Sequence, residues 1–223
     1  ETKEILHILE GDDPLPLLVF PDIRGLLLRV AKEGMLDGSE LRDVSIVLGL
    51  GYLAKSLLHS HSEECPTLAE HGQAFQDLGW IKRSIDHCID SHGAIRETAS
   101  PELFELMQKS QGLRRTMRRK LEHMLNSQEY EEQLQERFFA EREGRYVIPV
   151  KSERQHNVDG IVHDISSSGA TVFIEPRHLI ELNNAIKFAD LQVAQETRRL
   201  FQDLSRLVAE SVKAIQQNLE KLA

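Results

Sequence analysis

Two cysteines, Cys65 and Cys88, in 223 residues leave this chain no disulfide framework, and they fit a reducing, cytoplasmic setting. No apolar run approaches the roughly 18 residues that a membrane span takes, and no secretory pattern opens the chain, so a soluble protein without a membrane partner is expected. Aromatic residues are scarce, at 5%, beside 28% charged and 40% hydrophobic. That balance predicts much exposed helix rather than one thick core. A GK[ST] phosphate loop and a GxGxxG turn are both missing, which excludes nucleotide binding by these residues alone. Ten histidines invite a search for metal ligands, but His59 and His61 fall on different helix faces and His87 adjoins Cys88. Neither arrangement has CxxC or HExxH spacing. His163 and Asp164, beside Ser166, Ser167 and Ser168, have hydrolase residue types. Neighbours on a strand point to opposite faces, however, and cannot easily orient each other. No catalytic residue, metal ligand or cofactor is expected here.

Charge of one sign is also scarce where it matters. The net charge is −9, of which residues 1–100 carry −8 and residues 101–223 only −1. The first half is a poor nucleic-acid surface, because each phosphate contact depends on local Lys or Arg; the second half permits one. The chain opens at Glu1 without Met and stops at Ala223 inside a helical pattern, which reads as a fragment.

What is present is mostly helical period. After a turn-rich entry with GDDPLP, Asp22 precedes a short helix using Ile23, Leu26, Leu27 and Val30, which ends at Gly34. Ser39 is the expected N-cap of the next helix, whose inward face includes Leu41, Val44, Leu48 and Leu57. Gly49 and Gly51 inside it imply close packing or a bend. Residues 67–90 predict one further helix, completing a helical domain over 1–100. Pro101 then starts a helix over residues 101–143, with Leu103, Leu113, Leu121, Leu134 and Phe138 on one stripe. Residues 178–223 repeat apolar positions from Leu179 to Leu222 in alternating steps of three and four.

Between these two helices lies the one stretch without helical period. Tyr146, Val147, Ile148 and Val150 make one β-branched and aromatic run, Ile161, Val162 and Ile165 a second, and Ala170, Val172, Phe173 and Ile174 a third, with polar turns between. Matched helices around a small β unit predict an antiparallel coiled coil about 65 Å long with the β unit, residues 144–177, at its tip. A register placing Glu143 near His178 would set Glu122 opposite Arg199 and Arg118 opposite Asp203, in favour, and Glu131 opposite Asp190, against. The fold class expected is therefore mainly α: a helical core domain, a long coiled-coil lever and a small β clamp.

Two groups of cations stand out. Arg114-Arg115-Thr116-Met117-Arg118-Arg119-Lys120 carries five positive charges in seven residues, either as a phosphate contact or as a solvated face paired across the coil with Asp203 and Glu210. Arg145, Lys151, Arg154 and His156 surround the first strand and its loop, offset by Glu153 and Asp159, and are the expected nucleic-acid contacts.

The runs Gly144-Arg145-Tyr146-Val147-Ile148-Pro149-Val150-Lys151, Gly160-Ile161-Val162-His163-Asp164 and Ser167-Ser168-Gly169-Ala170-Thr171-Val172-Phe173-Ile174-Glu175-Pro176 resemble the family of MutS-type ATPases. More narrowly they resemble its second branch, which lacks the N-terminal mismatch-reading domain. Glu181-Leu182-Asn183-Asn184, Pro21-Asp22-Ile23-Arg24 and Ala99-Ser100-Pro101-Glu102-Leu103 extend the similarity over most of the chain. The resemblance implies a core, lever and clamp that lead into an ATPase using ATP and Mg, usually dimeric and often followed by a nuclease domain, none of it within these residues. It implies engagement of branched DNA in suppressing homologous recombination, or action on collided ribosomes, with the clamp as the contact surface in both cases.

Overall fold

A computed structural model describes Glu4 and residues 20–222. Most of the expected entry loop over residues 1–21 lies outside the described residues. The chain divides into two compact units, residues 1–100 with 197–223, and residues 101–196. It is mainly helical, with one small antiparallel sheet.

The first unit contains α1 (Arg24–Val30), α2 (Gly38–Ser60), α3 (Pro66–Gln73), α4 (Gly79–Cys88), the end of α7 (Ile180–Glu210) and α8 (Val212–Leu222). The N-cap of α2 is Asp37, not Ser39. Asp37 accepts from the Glu40 amide at 2.9 Å and Glu40 Oε2 accepts from the Asp37 amide at 2.9 Å, a reciprocal capping box. Ser39 instead donates to Asp37 Oδ1 at 2.7 Å. Backbone hydrogen bonds hold the Asp37 carboxyl below the usual aspartate value, the Glu40 amide first among them. The helix expected over 67–90 is two helices, α3 and α4. The break is stabilised by Asn218 of α8, whose Oδ1 accepts from the Gln76 amide at 2.9 Å and whose Nδ2 donates to Gln76 O at 3.0 Å. A side-chain amide from the far end of the chain thus supplies both bonds that a helix would have supplied. The helix expected over 178–223 is likewise divided, at Ser211, where the amide turns tighter and bonds Val208 O at 3.1 Å.

The second unit contains α5 (Pro101–Leu125), α6 (Gln128–Glu131), β1 (Ala140–Arg142), β2 (Arg145–Lys151), β3 (Gly160–Ile165), β4 (Thr171–Pro176) and the start of α7. The helix predicted over 101–143 stops at Leu125. Asn126 and Ser127 turn their side chains back onto the last carbonyls, Glu122 O at 2.8 Å and Met124 O at 2.9 Å, offering those groups an alternative to further helix. The following residues join the sheet edge: the Gln135 amide donates to Pro149 O at 3.0 Å and the Lys151 amide to Gln133 O at 2.9 Å. Leu134, assigned by period to a helix stripe, is buried in the sheet core instead.

That early stop also replaces the predicted pairing. Arg114 Nη2 donates to Asp190 Oδ2 at 2.6 Å, Ser110 Oγ donates to Asp190 Oδ1 at 2.7 Å, and His178 Nε2 lies 3.0 Å from Met124 Sδ. His178 therefore meets Met124 rather than Glu143, and Asp190 meets Arg114 rather than Glu131. Asp203 is engaged by Arg199 and Arg206 of its own helix, at 2.9 and 2.8 Å. Burial works against the charged form of Arg114, but its bonds to Tyr146 Oη and Asp190 outweigh this and raise its pKa above the usual arginine value.

The sheet order is β1-β2-β4-β3, antiparallel throughout. β1 carries no β-branched residue and has no sequence signal of its own. Its hairpin to β2 turns on Glu143 and Gly144, both with positive φ (52° and 73°), the backbone that a two-residue turn of this hand needs. Tyr146, Ile148, Val150, Val172 and Ile174 pack with Met117, Leu121 and Met124 of α5 and Ile186 of α7. The opposite sheet face carries Phe173, with the Arg142 guanidinium 4.4 Å from its ring centroid and Arg142 Nε 3.0 Å from Asp164 Oδ2.

Candidate nucleic-acid interface

β2 ends at Lys151, and the chain passes into a 3₁₀ turn, Ser152–Asn157. The Ser152 amide donates to Ala170 O at 3.0 Å, and buried Val158 seats the far end of the loop in the core. A short, pinned loop results. Arg154 and His156 are exposed on it, and among the described residues neither has an acidic partner. Lys151 Nζ donates to Glu132 O at 3.1 Å, leaving its charge without a carboxylate. Beside it lies an open trough of about 660 Å³ lined by Gln135, Lys151, Ser152, Glu153 and Ala170. Asp159 is 3.6 Å from Arg177, on an exposed pair.

Arg145 occupies a different environment. It starts β2, about 20 Å along the strand from Lys151 at 3.3 Å per residue. Its Nη1 donates to Glu175 Oε1 at 2.7 Å and its Nη2 to Asn184 Oδ1 at 2.8 Å. Glu175 is fully buried. Asn183 Nδ2 also donates to its Oε1 at 2.8 Å, and His163 Nε2 lies 2.7 Å from its Oε2. Asn183 further accepts from the Tyr146 amide at 2.9 Å and donates to Tyr146 O at 3.1 Å. One carboxylate thereby ties β2, β3, β4 and the first turns of α7 together. His163 reaches it because β3 bulges: Val162 pairs with Ile174 and Asp164 with Phe173, leaving His163 as the extra residue. The structure thus brings Lys151, Arg154 and His156 onto one loop and places Arg145 in a separate network.

Sequence reasoning missed that network. Its signal was an acid, Glu175, in an otherwise apolar strand, together with Asn183. The pairing that satisfies them runs through the third dimension.

No family model matches the chain. Endonuclease MutS2 of Geobacillus sp. (strain WCH70) is 35% identical over 226 residues, covering 100% of this chain and 29% of the relative. Endonuclease MutS2 of Pelotomaculum thermopropionicum is 36% identical over 222 residues, covering 100% and 28%. The putative endonuclease MutS2 of Bacillus subtilis (strain 168) is 34% identical over 228 residues, again covering 100% and 28%.

Over its whole length the chain matches MutS2-type members of the MutS family.

It spans less than a third of the length of these curated relatives. No helix among the described residues is long and apolar enough to cross a membrane.

Proposed function

We propose that this MutS2-type segment engages the phosphate backbone of branched or structured DNA, without reading sequence, through the loop that follows β2. In the longer protein this contact is coupled to an ATPase that uses ATP and Mg, in a homodimer that suppresses homologous recombination. The observation that supports it is the exposed Arg154 guanidinium and His156 imidazole on a pinned loop beside Lys151, with no carboxylate partner among the described residues. A cation held for structure is normally paired; Arg154 is held outward. Contacts of this kind position a protein on nucleic acid and carry no base information. Arg145, bound by Glu175 and Asn184, acts in this reading by holding the base of the strand that presents the loop.

The test is a salt titration of DNA binding. Replacing Lys151 and Arg154 together with Ala is expected to weaken binding to a branched duplex and lower the log–log salt slope by about two. An unchanged slope removes the loop from the reading.

A second reading, contact with a protein or ribosomal surface in rescue of collided ribosomes and no DNA binding by the segment, draws on one feature. Edge strand β3 exposes Ile161, Val162 and Ile165, at 48%, 47% and 57%. Co-sedimentation of the longer protein with ribosomes, with and without residues 152–157, separates the two.

A further inference from the structure

The cationic run on α5 is not absorbed by the loop reading. Between Glu105 and Glu129 the sequence carries Lys109, Arg114, Arg115, Arg118, Arg119 and Lys120 against one acid, Glu122. Arg114 is committed to Asp190. Arg115, Arg118, Arg119 and Lys120 are exposed and have no acidic partner among the described residues. Asp203, one of the two acids expected opposite this run, is engaged by Arg199 and Arg206 of its own helix.

Thr116, Arg119, Lys120 and His123 follow at i, i+3, i+4 and i+7, within an arc of about 100° on one helix face. Glu122 falls outside that arc, between Arg115 and Arg118. Met124 and His178 close the end of the same face, and together these residues line an open trough of about 510 Å³. Thr116 Oγ1 donates to Gly112 O at 3.1 Å and accepts from Arg119 Nη2 at 3.4 Å, which leans that guanidinium along the trough. The lining is two strong cations, two imidazoles, a hydroxyl and the Met124 thioether, which lies 3.0 Å from His178 Nε2, with no carboxylate and no aromatic ring other than the imidazoles. Such a surface suits a run of phosphates. It lacks Phe, Tyr or Trp to stack bases, and it is too open to enclose a small ligand.

We infer that the trough formed by Thr116, Arg119, Lys120, His123 and His178 is a second phosphate-backbone site, separate from the loop after β2. It rests on the reading that this segment binds nucleic acid, but not on the loop being the place. Local positive charge on a chain of net charge −9 also orients an incoming polyanion toward this helix and away from residues 1–100.

Histidines report on both places. The assigned ring resonances of His123 and His178 mark the trough and those of His156 the loop, so a titration with a short mixed-sequence DNA duplex reads each alone. The trough predicts that His123 and His178 shift on binding. It also predicts that Arg119→Gln with Lys120→Gln lowers the salt slope by about two, with helix content by circular dichroism unchanged. Movement of His156 alone, with an unchanged slope in the double variant, overturns the trough and leaves the loop. Movement of His123 and His178 alone supports the trough and overturns the loop. No movement at all, with no measurable binding at low salt, overturns both.

Discussion

Glu175 is the residue on which the β unit depends most. A carboxylate removed from water costs several kcal/mol unless its charge and lone pairs are met, and here Arg145, Asn183 and His163 meet it at 2.7, 2.8 and 2.7 Å. Glu175→Ala removes the acceptor these three groups share and leaves a void and an uncompensated Arg145 charge, and the expected loss is about 3–5 kcal/mol in urea unfolding. Glu175→Gln keeps the shape and should lose less; equal losses would mean that charge, not packing, is what Glu175 supplies. Asp37 offers a pH-dependent counterpart. Its carboxyl is held below the usual value by hydrogen bonds that exist only in the folded chain. The unfolded chain therefore binds the proton more readily, and the contribution of Asp37 is complete above the ordinary aspartate pKa of about 3.9. It is lost as pH falls through that value toward the lower folded one. Asp37→Ala should cost about 1 kcal/mol near neutral pH, and its gap from the parent should close in acid. A gap constant down to acid pH would remove the carboxylate from the cap.

At the scale of elements, side chains distant in sequence decide where helices stop. Gln76 is held out of helix by Asn218, and the chain after Leu125 is drawn to the edge of β2 at Gln133 and Gln135. Asn183 does for Tyr146 what Asn218 does for Gln76, accepting from the amide and donating to the carbonyl of one residue. Hydrophobic period cannot report such clips, because a stripe containing Leu134 fits a helix and a sheet core alike. The three apolar runs read as strands were legible, since β-branched residues between Ser- and Gly-rich turns have few other uses. β1 was not, being Ala140-Glu141-Arg142. Gly160 tests the β3–β4 ladder. A Cβ there would collide with Glu175 O and with Ile174 Cγ2, and backbone cannot yield as a flexible side chain can. Gly160→Ala is expected to separate the start of β3 from β4, seen as lost amide protection in β3 with the α7 amides retained. Full protection would show that the strand shifts to accommodate a methyl group.

For the molecule as a whole, charge distribution is the property that sequence reads best, because it does not depend on how the chain folds. The acidic first hundred residues and the cationic run on α5 are visible in the sequence, and so is the family, whose motifs lie within contiguous stretches. Which cations are free is another matter. Arg145 and Lys151 look alike in sequence, yet one is bonded to a buried carboxylate and the other projects from a loop end. Arg114 and Arg119 look alike too, yet one is bound to Asp190 and the other lines a trough with His178. Because the two slopes report different residues, the variants at Lys151 and Arg154 and those at Arg119 and Lys120 should act additively at separate sites. A double loss smaller than the sum would instead place both on one continuous DNA path. The sequence by itself determined the helical character, the small β unit, the charge asymmetry and the MutS-type motifs, all carried by local pattern. Only the tertiary structure decided where the long helices end, which pairs meet along them and which cations remain unpaired, because each depends on a partner that folding brings in from elsewhere in the chain.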